Sequence, residues 1–172
     1  EEKIQKSSDL DGAGTDCTKI DCGVAVTVHT SCNPFISTTQ VVPECLTLGM
    51  GCRKDKDACG IAEAAQKVLD RSGFYKEAFE QIASIDLKKE EPAILAYAQK
   101  YKVPFATYPA EQLEKITEVS ATSPFVKQVT GVDNVCERAA RTADADGELL
   151  CPKCIREQMT VALTETEVTL RF

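Results

Sequence analysis

The chain has 172 residues, of which 43% are hydrophobic and 27% are charged, and its net charge at pH 7 is −7. Nucleic acid is a poor main partner for such a chain, because phosphate binding needs a surplus of basic residues. No apolar run approaches the ~20 residues of a membrane helix and no signal-peptide pattern opens the chain. We therefore expect a cytoplasmic protein with one full domain, or one domain and a fragment of another.

The nine cysteines lie at positions 17, 22, 32, 45, 52, 59, 136, 151 and 154. An odd number spread through α/β patterning is not typical of a secreted disulfide framework. Cys45, Cys59 and Cys136 lie in apolar segments, and we interpret them as small core residues. We expect reduced thiols, as in a cytoplasm.

Residues 1–19 are polar and aperiodic, and residues 29–39 have turn signals, so both segments are predicted to be loops. Apolar periodicity predicts strands at 22–28, 45–48, 82–87, 103–107, 148–151, 159–163 and 167–172. It predicts helices or helical turns at 57–71, 75–83, 90–101, 110–116, 124–129 and 132–143. Strands alternating with helices predict a three-layer α/β domain with an open mixed sheet, mostly parallel, whose closing strands are antiparallel.

A glycine-rich segment follows the strand at 45–48 and precedes the helix at 57–71. Gly49 and Gly51 permit backbone angles or close approaches that a Cβ would forbid. Arg53 and Lys54 place two positive charges near the start of the helix, which suits an anionic ligand. The segment is thus predicted to be a ligand-binding turn at the carboxyl edge of a parallel sheet. A tight turn with solvated basic residues is the alternative.

Four segments carry a common pattern: LGMGCRKDKD (48–57), SIDLKKEEPAILAYAQKYKVPFATYPAEQL (84–113), TGVDNVCERAA (130–140), and DGELLCPK (146–153) with MTVAL (159–163). Their marks are a GxGCR turn, a D-x-K-x-x-E stretch, a GV-x-x-V-x-E-x-A helix and an L-L-x-x-K segment. Together, in this order and spacing, they resemble the C-terminal domain of the CbiG/CobE family of cobalamin biosynthesis. The resemblance runs from about residue 45 to the end of the chain.

The resemblance also sets the expected domain organisation. Residues 45–172 are expected to form the CbiG C-terminal, CobE-like α/β domain, and residues 1–44 the tail of a preceding central CbiG region. The first residue is Glu rather than Met, and the N-terminal CbiG domain is absent. We therefore expect an excised piece of a longer CbiG protein.

Two functions are implied by the resemblance. CbiG acts in the anaerobic pathway as cobalt-precorrin-5A hydrolase, opening the δ-lactone and releasing acetaldehyde. The alternative is a non-catalytic CobE-like module that binds or hands over corrinoid intermediates. Either way the expected partners are a corrinoid intermediate, the missing N-terminal CbiG domain and other enzymes of the pathway. No metal site or cofactor is expected, because cobalt enters only as part of the substrate.

Residues of the four marks and their neighbours are the candidate site. The candidate substrate contacts are Gly49, Gly51, Cys52, Arg53, Lys54, Lys88, Glu137 and Lys153. Arg53 is the leading contact, since a guanidinium binds the carboxylates of a corrinoid precursor bidentately; pairing with a nearby acid is its alternative. Asp86 and Glu91 are the candidate acid and base for hydrolysis.

Each of the other candidates also has a structural interpretation. Glu91 could equally be a favourable first-turn carboxylate at a helix N-terminus, with Asp86 as its cap-like neighbour. Glu137 fits a solvated helix face better than a functional site, and Lys153 is a weak candidate to bind a carboxylate. Cys52 is interpreted as a structural thiol rather than a nucleophile, because the single His29 is its only candidate base.

The Cys151-Pro-Lys-Cys154 sequence has the CxxC spacing of metal and redox sites. A tetrahedral zinc site needs two more ligands, for which Cys17 and Cys22 are available at loose spacing. We interpret Cys151 and Cys154 as structural thiols, with a zinc or redox site as the alternative.

Overall fold

The computed structural model describes residues 22–52, 63, 65–67, 70, 72–156 and 159–169. A five-stranded mixed sheet is its centre, with strand order β5-β4-β3-β7-β6. The strands of the chain are β1 (Cys22–Val26), β2 (Ser37–Val41), β3 (Leu46–Cys52), β4 (Phe79–Ile85), β5 (Phe105–Tyr108), β6 (Glu148–Arg156) and β7 (Met159–Glu165). β3, β4 and β5 are parallel, whereas β7 and β6 run antiparallel to them. The predicted mixed sheet with antiparallel closing strands is confirmed.

Four helices follow β4 and β5 along the chain: α1 (Pro92–Tyr101), α2 (Ala110–Leu113), α3 (Pro124–Thr130) and α4 (Val135–Ala143). Pro92 opens α1, where its missing N–H costs no hydrogen bond. The side chains of Ser123 and Asn134 accept hydrogen bonds from the first turns of α3 and α4. Of the predicted helix at 57–71, the described residues 63, 65–67 and 70 are helical.

The two faces of the sheet are covered by different helices. Leu46, Leu48 and Met50 of β3 pack with the buried side chains of α1 in one core cluster. The alternate residues of β3 face α4, and a second cluster joins Ala139 of α4 to Ala83 of β4. This arrangement confirms the predicted three layers.

Several predicted element boundaries are wrong. β3 continues through Gly49 and Gly51 to Cys52, so the predicted glycine turn is part of the strand. The helical turn predicted at 75–83 is only a 3₁₀ turn, Lys76–Ala78, after which β4 begins at Phe79. A strand covered on both faces is apolar at consecutive positions, so its pattern is easily mistaken for a helix.

The two ends of the described chain also differ from the prediction. β2 begins at Ser37, inside the segment predicted to be loop. The closing strand predicted at 167–172 is not observed at 167–169, and its last three residues lie outside the described part of the chain. β1 and β2 form a separate two-stranded parallel sheet. Val28, which follows β1, is nevertheless buried in the main core, so this segment packs on the domain.

Candidate functional site

The carboxyl ends of the three parallel strands meet at one edge of the sheet. Cys52 ends β3, Ile85 ends β4 and Tyr108 ends β5. Val135, the first residue of α4, lies over Gly51, so α4 also begins near this edge. Ligands of open α/β sheets bind at this edge, because the loops leaving the strands and the helix starts converge there.

Lys88 and Glu91 form a nearly buried ion pair in the connection between β4 and α1. Lys88 Nζ lies 2.8 Å from Glu91 Oε2, and the two side chains are 11% and 5% exposed. Glu91 occupies the N-cap position of α1, yet its side chain makes no capping hydrogen bond. Glu91 therefore lies at the helix start without a capping hydrogen bond, and the ion pair gives its carboxylate a fixed orientation.

The second carboxylate oxygen of Glu91 is also buried. Glu91 Oε1 has no hydrogen-bond partner among the described residues. A buried acceptor without a partner costs about 1–3 kcal/mol, so this oxygen would gain from a bound donor. Asp86, by contrast, is exposed at the start of the 3₁₀ turn Asp86–Lys88. Its backbone carbonyl accepts a hydrogen bond from Lys89 N at 3.0 Å.

Glu137 is fully buried, so its interpretation as a solvated helix residue is wrong. Its carboxylate accepts hydrogen bonds from Ser120 N at 2.7 Å, from Ser120 Oγ and from Lys153 N at 2.7 Å. Burial raises the pKa of Glu137, but the hydrogen bonds from Ser120, Lys153 and Asn134 outweigh it and leave the pKa below its usual value. Glu137 thus joins α4, the loop before α3 and β6.

Arg138, the next residue of α4, anchors the preceding loop in a similar way. Its guanidinium pairs with Asp133 at 2.7 Å and donates to the carbonyl oxygens of Leu113, Glu114 and Ile116. Sequence reasoning missed both Arg138 and Ser120. The signal for Arg138 was its place beside Glu137 on a helix with a buried alanine face, whereas Ser120 lies in an aperiodic loop without any pattern.

The glycines of the predicted turn have a packing role. A Cβ on Gly49 would lie 1.9 Å from the carbonyl oxygen of Cys136, and one on Gly51 would lie 2.7 Å from Thr160 Oγ1. The close approach predicted for Gly49 is therefore made by α4. Cys52 is half-buried at the strand end. Arg53 and Lys54 lie outside the described residues.

Cys151 and Cys154 are both half-buried in β6, with their sulfur atoms 3.6 Å apart. Among the described residues no three His, Cys, Asp or Glu side chains cluster closely enough to hold a metal ion. Cys22 is exposed in β1 and Cys17 lies outside the described part. The predicted site residues thus form two contacting groups: Lys88 with Glu91, and Glu137 with the backbone N–H of Lys153.

A surface cleft of about 460 Å³ lies away from both groups. It is lined by Gln66, Lys76, Glu77, Lys100, Tyr101 and Lys102. These residues include the C-terminal end of α1 and the turn before β4, so the cleft is at the amino edge of the sheet. Its charges are mixed, and it contains none of the predicted site residues.

Within the described residues no helix is long and apolar enough to cross a membrane.

Comparison with known proteins identifies the family to which this chain is related. A family model described as "Cobalamin synthesis G C-terminus" matches residues 46–164. The chain is 35% identical over 120 residues to Protein CobE of a Sinorhizobium species, covering 69% of this chain and 78% of that protein. It is 33% identical over 125 residues to the cobalt-precorrin-5A hydrolase of Salmonella typhimurium, covering 72% of this chain and 35% of that enzyme.

A solved structure of CobE, described as a protein from the cobalamin (vitamin B12) biosynthetic pathway, has the same fold. Its TM-score is 0.67 at 24% identity, and the match covers 75% of this chain and 94% of that chain. The matched fold is thus an α/β domain shared by proteins of cobalamin biosynthesis. The chain belongs to the CbiG/CobE C-terminal family, as the four sequence segments predicted. Its role is in cobalamin biosynthesis, and it spans about a third of the Salmonella hydrolase.

Proposed function

We propose that this chain supplies part of the catalytic site of a cobalt-precorrin-5A hydrolase, which opens the δ-lactone and releases acetaldehyde. The observation that carries the proposal is the Glu91 carboxylate. It is buried at the carboxyl edge of the sheet, held by Lys88 through one oxygen and unpartnered by described protein groups at the other. The 33% identity to the Salmonella enzyme supports the choice of reaction.

Glu91 is the proposed general base in this reaction. Its Oε1 accepts a proton from the water that attacks the lactone carbonyl, while the ion pair with Lys88 holds the carboxylate in place. Lys88 is therefore a positioning residue, rather than the substrate contact that its sequence pattern suggested. The protonated Glu91 then returns this proton to the leaving alkoxide, and the exposed Asp86 on the same connection is the second candidate acid or base.

Substrate binding is assigned to the basic residues that follow β3. The carboxylates of a corrinoid precursor need cations, and Arg53 and Lys54 come directly after Cys52 at the carboxyl edge. Because the chain covers only 35% of the Salmonella hydrolase, we propose that a preceding CbiG region completes the site. Glu137, which accepts hydrogen bonds from the backbone N–H groups of Lys153 and Ser120, then positions the loop before α3 (the Ser120 loop) beside this edge.

The experiment is an acetaldehyde-release assay with cobalt-precorrin-5A, on this chain and on a longer CbiG protein carrying the same substitutions. Glu91→Gln should reduce turnover at least about 100-fold, the usual contribution of a general base. Glu90→Gln is the matched control, because Glu90 is the exposed neighbour. Equal turnover in the two variants would contradict the role of Glu91.

A binding module without chemistry is the second candidate. It is favoured by the coverage of the CobE relative, of which this chain matches 78%. Under this alternative the chain binds a corrinoid and neither it nor its longer form releases acetaldehyde. If the longer protein releases acetaldehyde and its Glu91→Gln variant does not, the hydrolase is favoured over the binding module.

A further inference from the structure

A β-bulge brings Cys151 and Cys154 to the same face of β6. Cys151 lies opposite Leu163 and Cys154 opposite Val161, so three steps along β6 match two along β7. In a regular strand, residues three apart point to opposite faces. Here both thiols pack against the same core cluster, with their sulfur atoms 3.6 Å apart. The extra residue thus converts the CxxC spacing into a pair of neighbouring thiols.

We propose that Cys151 and Cys154 form a reversible disulfide that controls the anchoring of Glu137, with a small-molecule disulfide of the glutathione type as oxidant. One cysteine thiolate attacks the small disulfide, forms a mixed disulfide and expels one small thiol. The second cysteine then attacks the protein sulfur and expels the other small thiol. Two protein thiols are oxidised and one small disulfide is reduced to two thiols, so protons and electrons balance.

The local geometry permits closure by a small movement. A disulfide has an S–S distance of ~2.05 Å, so the two sulfur atoms must approach by about 1.5 Å from their present 3.6 Å. Pro152 has no N–H, so the bulge between the cysteines does not depend on a ladder hydrogen bond from this residue. The two cysteines are half-buried rather than enclosed, which gives a small oxidant access.

In the reduced state, Cys151 is held as a thiol, so no thiolate stabilises the reduced form of the cysteine pair. Burial, together with the hydrogen bond and charge of Cys154, raises the pKa of Cys151 to about 11. A strongly oxidising disulfide is the opposite case, because the reduced dithiol that it becomes is stabilised. The Cys151–Cys154 disulfide should therefore reopen with a strong dithiol reductant such as dithiothreitol rather than spontaneously.

The residue between the cysteines connects this pair to α4. Lys153 N donates to Glu137 Oε1 at 2.7 Å, and Ser120 N donates to Glu137 Oε2 at 2.7 Å. Closure of the disulfide changes the backbone that carries the Lys153 amide. It should therefore weaken the hydrogen bonds of Glu137 and loosen the Ser120 loop beside the carboxyl edge of the sheet. This inference does not depend on corrinoid binding.

The test begins with the folded chain equilibrated in reduced and oxidised glutathione and digested at glutamate residues. The peptide 149–157 contains Cys151 and Cys154 and no other cysteine. We expect it to be lighter by two hydrogen atoms after oxidation and to regain them with dithiothreitol. Cys154→Ser should abolish this change, whereas the control Cys32→Ser, a half-buried thiol of the β1–β2 connection, should leave it intact.

Amide hydrogen exchange then tests the connection to Glu137. Exchange at Ser120 and Lys153 should become faster in the oxidised chain and should not respond to oxidant in Cys154→Ser. Recovery of peptide 149–157 with two free thiols, or with glutathione adducts alone, would overturn the proposed disulfide. A disulfide that leaves exchange at Ser120 unchanged would overturn its control of Glu137.

Discussion

Gly49→Ala should destabilise the domain by displacing α4 from the sheet. The new Cβ would lie 1.9 Å from the Cys136 carbonyl oxygen and 2.9 Å from Ala140 Cβ, whereas real Cβ contacts stay above 3.0 Å. The helix backbone must therefore retreat by about 1 Å along its contact with β3. Overpacking in a core costs about 1–3 kcal/mol, and we expect about 3 kcal/mol here because a backbone atom, which cannot rotate away, is the obstacle.

Gly51→Ala in the same strand is the matched control. Its Cβ would lie 2.7 Å from Thr160 Oγ1, a side-chain atom that can rotate, and 3.6 Å from Val135 Cβ. The gain of about 0.5 kcal/mol from a stiffer unfolded chain is common to both variants and cancels between them. We expect Gly51→Ala to cost about 1 kcal/mol or less.

Urea unfolding, followed by far-UV circular dichroism, measures the difference between these variants. With a slope of about 2 kcal/mol per molar urea, the midpoint of Gly49→Ala should fall about 1.5 M below that of the unchanged chain. Gly51→Ala should stay within about 0.5 M of the unchanged chain. Equal midpoints for the two variants would refute the direct packing of α4 on the β3 backbone.

Three further predictions concern buried polar groups. Lys88→Met should cost about 3–5 kcal/mol because it leaves the Glu91 charge buried and unpaired; Lys88→Met/Glu91→Leu should recover most of this loss in urea unfolding, and no recovery would contradict the ion pair. The lowered pKa of Glu137 stabilises the fold above the unfolded value near 4.5, and this contribution is lost as pH falls through the folded pKa. Glu137→Gln should therefore flatten the loss of thermal stability below about pH 4.5, whereas an unchanged acid limb would contradict the Glu137 hydrogen bonds. Burial raises the pKa of both Cys45 and Cys136 to about 12, so both should resist iodoacetamide in the folded chain when peptides are examined by mass spectrometry, and rapid labelling of either would contradict its burial.

The fold could be predicted because its signals are local. Pro92 at the start of α1 and the apolar periodicity of α4 are visible in the sequence alone. The glycines of β3 do not reveal their packing in the sequence, because a close approach by a helix and a close approach by a ligand demand the same small residue. Only the tertiary placement of Cys136 over Gly49 distinguishes the two.

The candidate site was less accessible to sequence reasoning. The sequence predicts that Glu91 is either functional or a first-turn carboxylate at a helix start, and it does not show the pairing with Lys88. The burial of Glu137 depends on Ser120 and on the Lys153 amide, which are 17 and 16 residues away along the chain. A hydrogen-bond network assembled from separate loops leaves no periodic pattern in the sequence.

The most direct test of the central claim is a titration of this chain with a cobalt-precorrin, or a close corrinoid analogue, followed by visible absorbance. Arg53→Ala is compared with Lys89→Ala, which removes an exposed cation from the connection after β4. A cobalamin-biosynthesis domain with its ligand at the carboxyl edge should bind the corrinoid, lose at least about tenfold in affinity on Arg53→Ala, as expected for a carboxylate contact, and keep its affinity on Lys89→Ala. Binding that neither variant weakens would contradict the proposed site, and no binding to this chain or to a longer CbiG protein would contradict the proposed substrate.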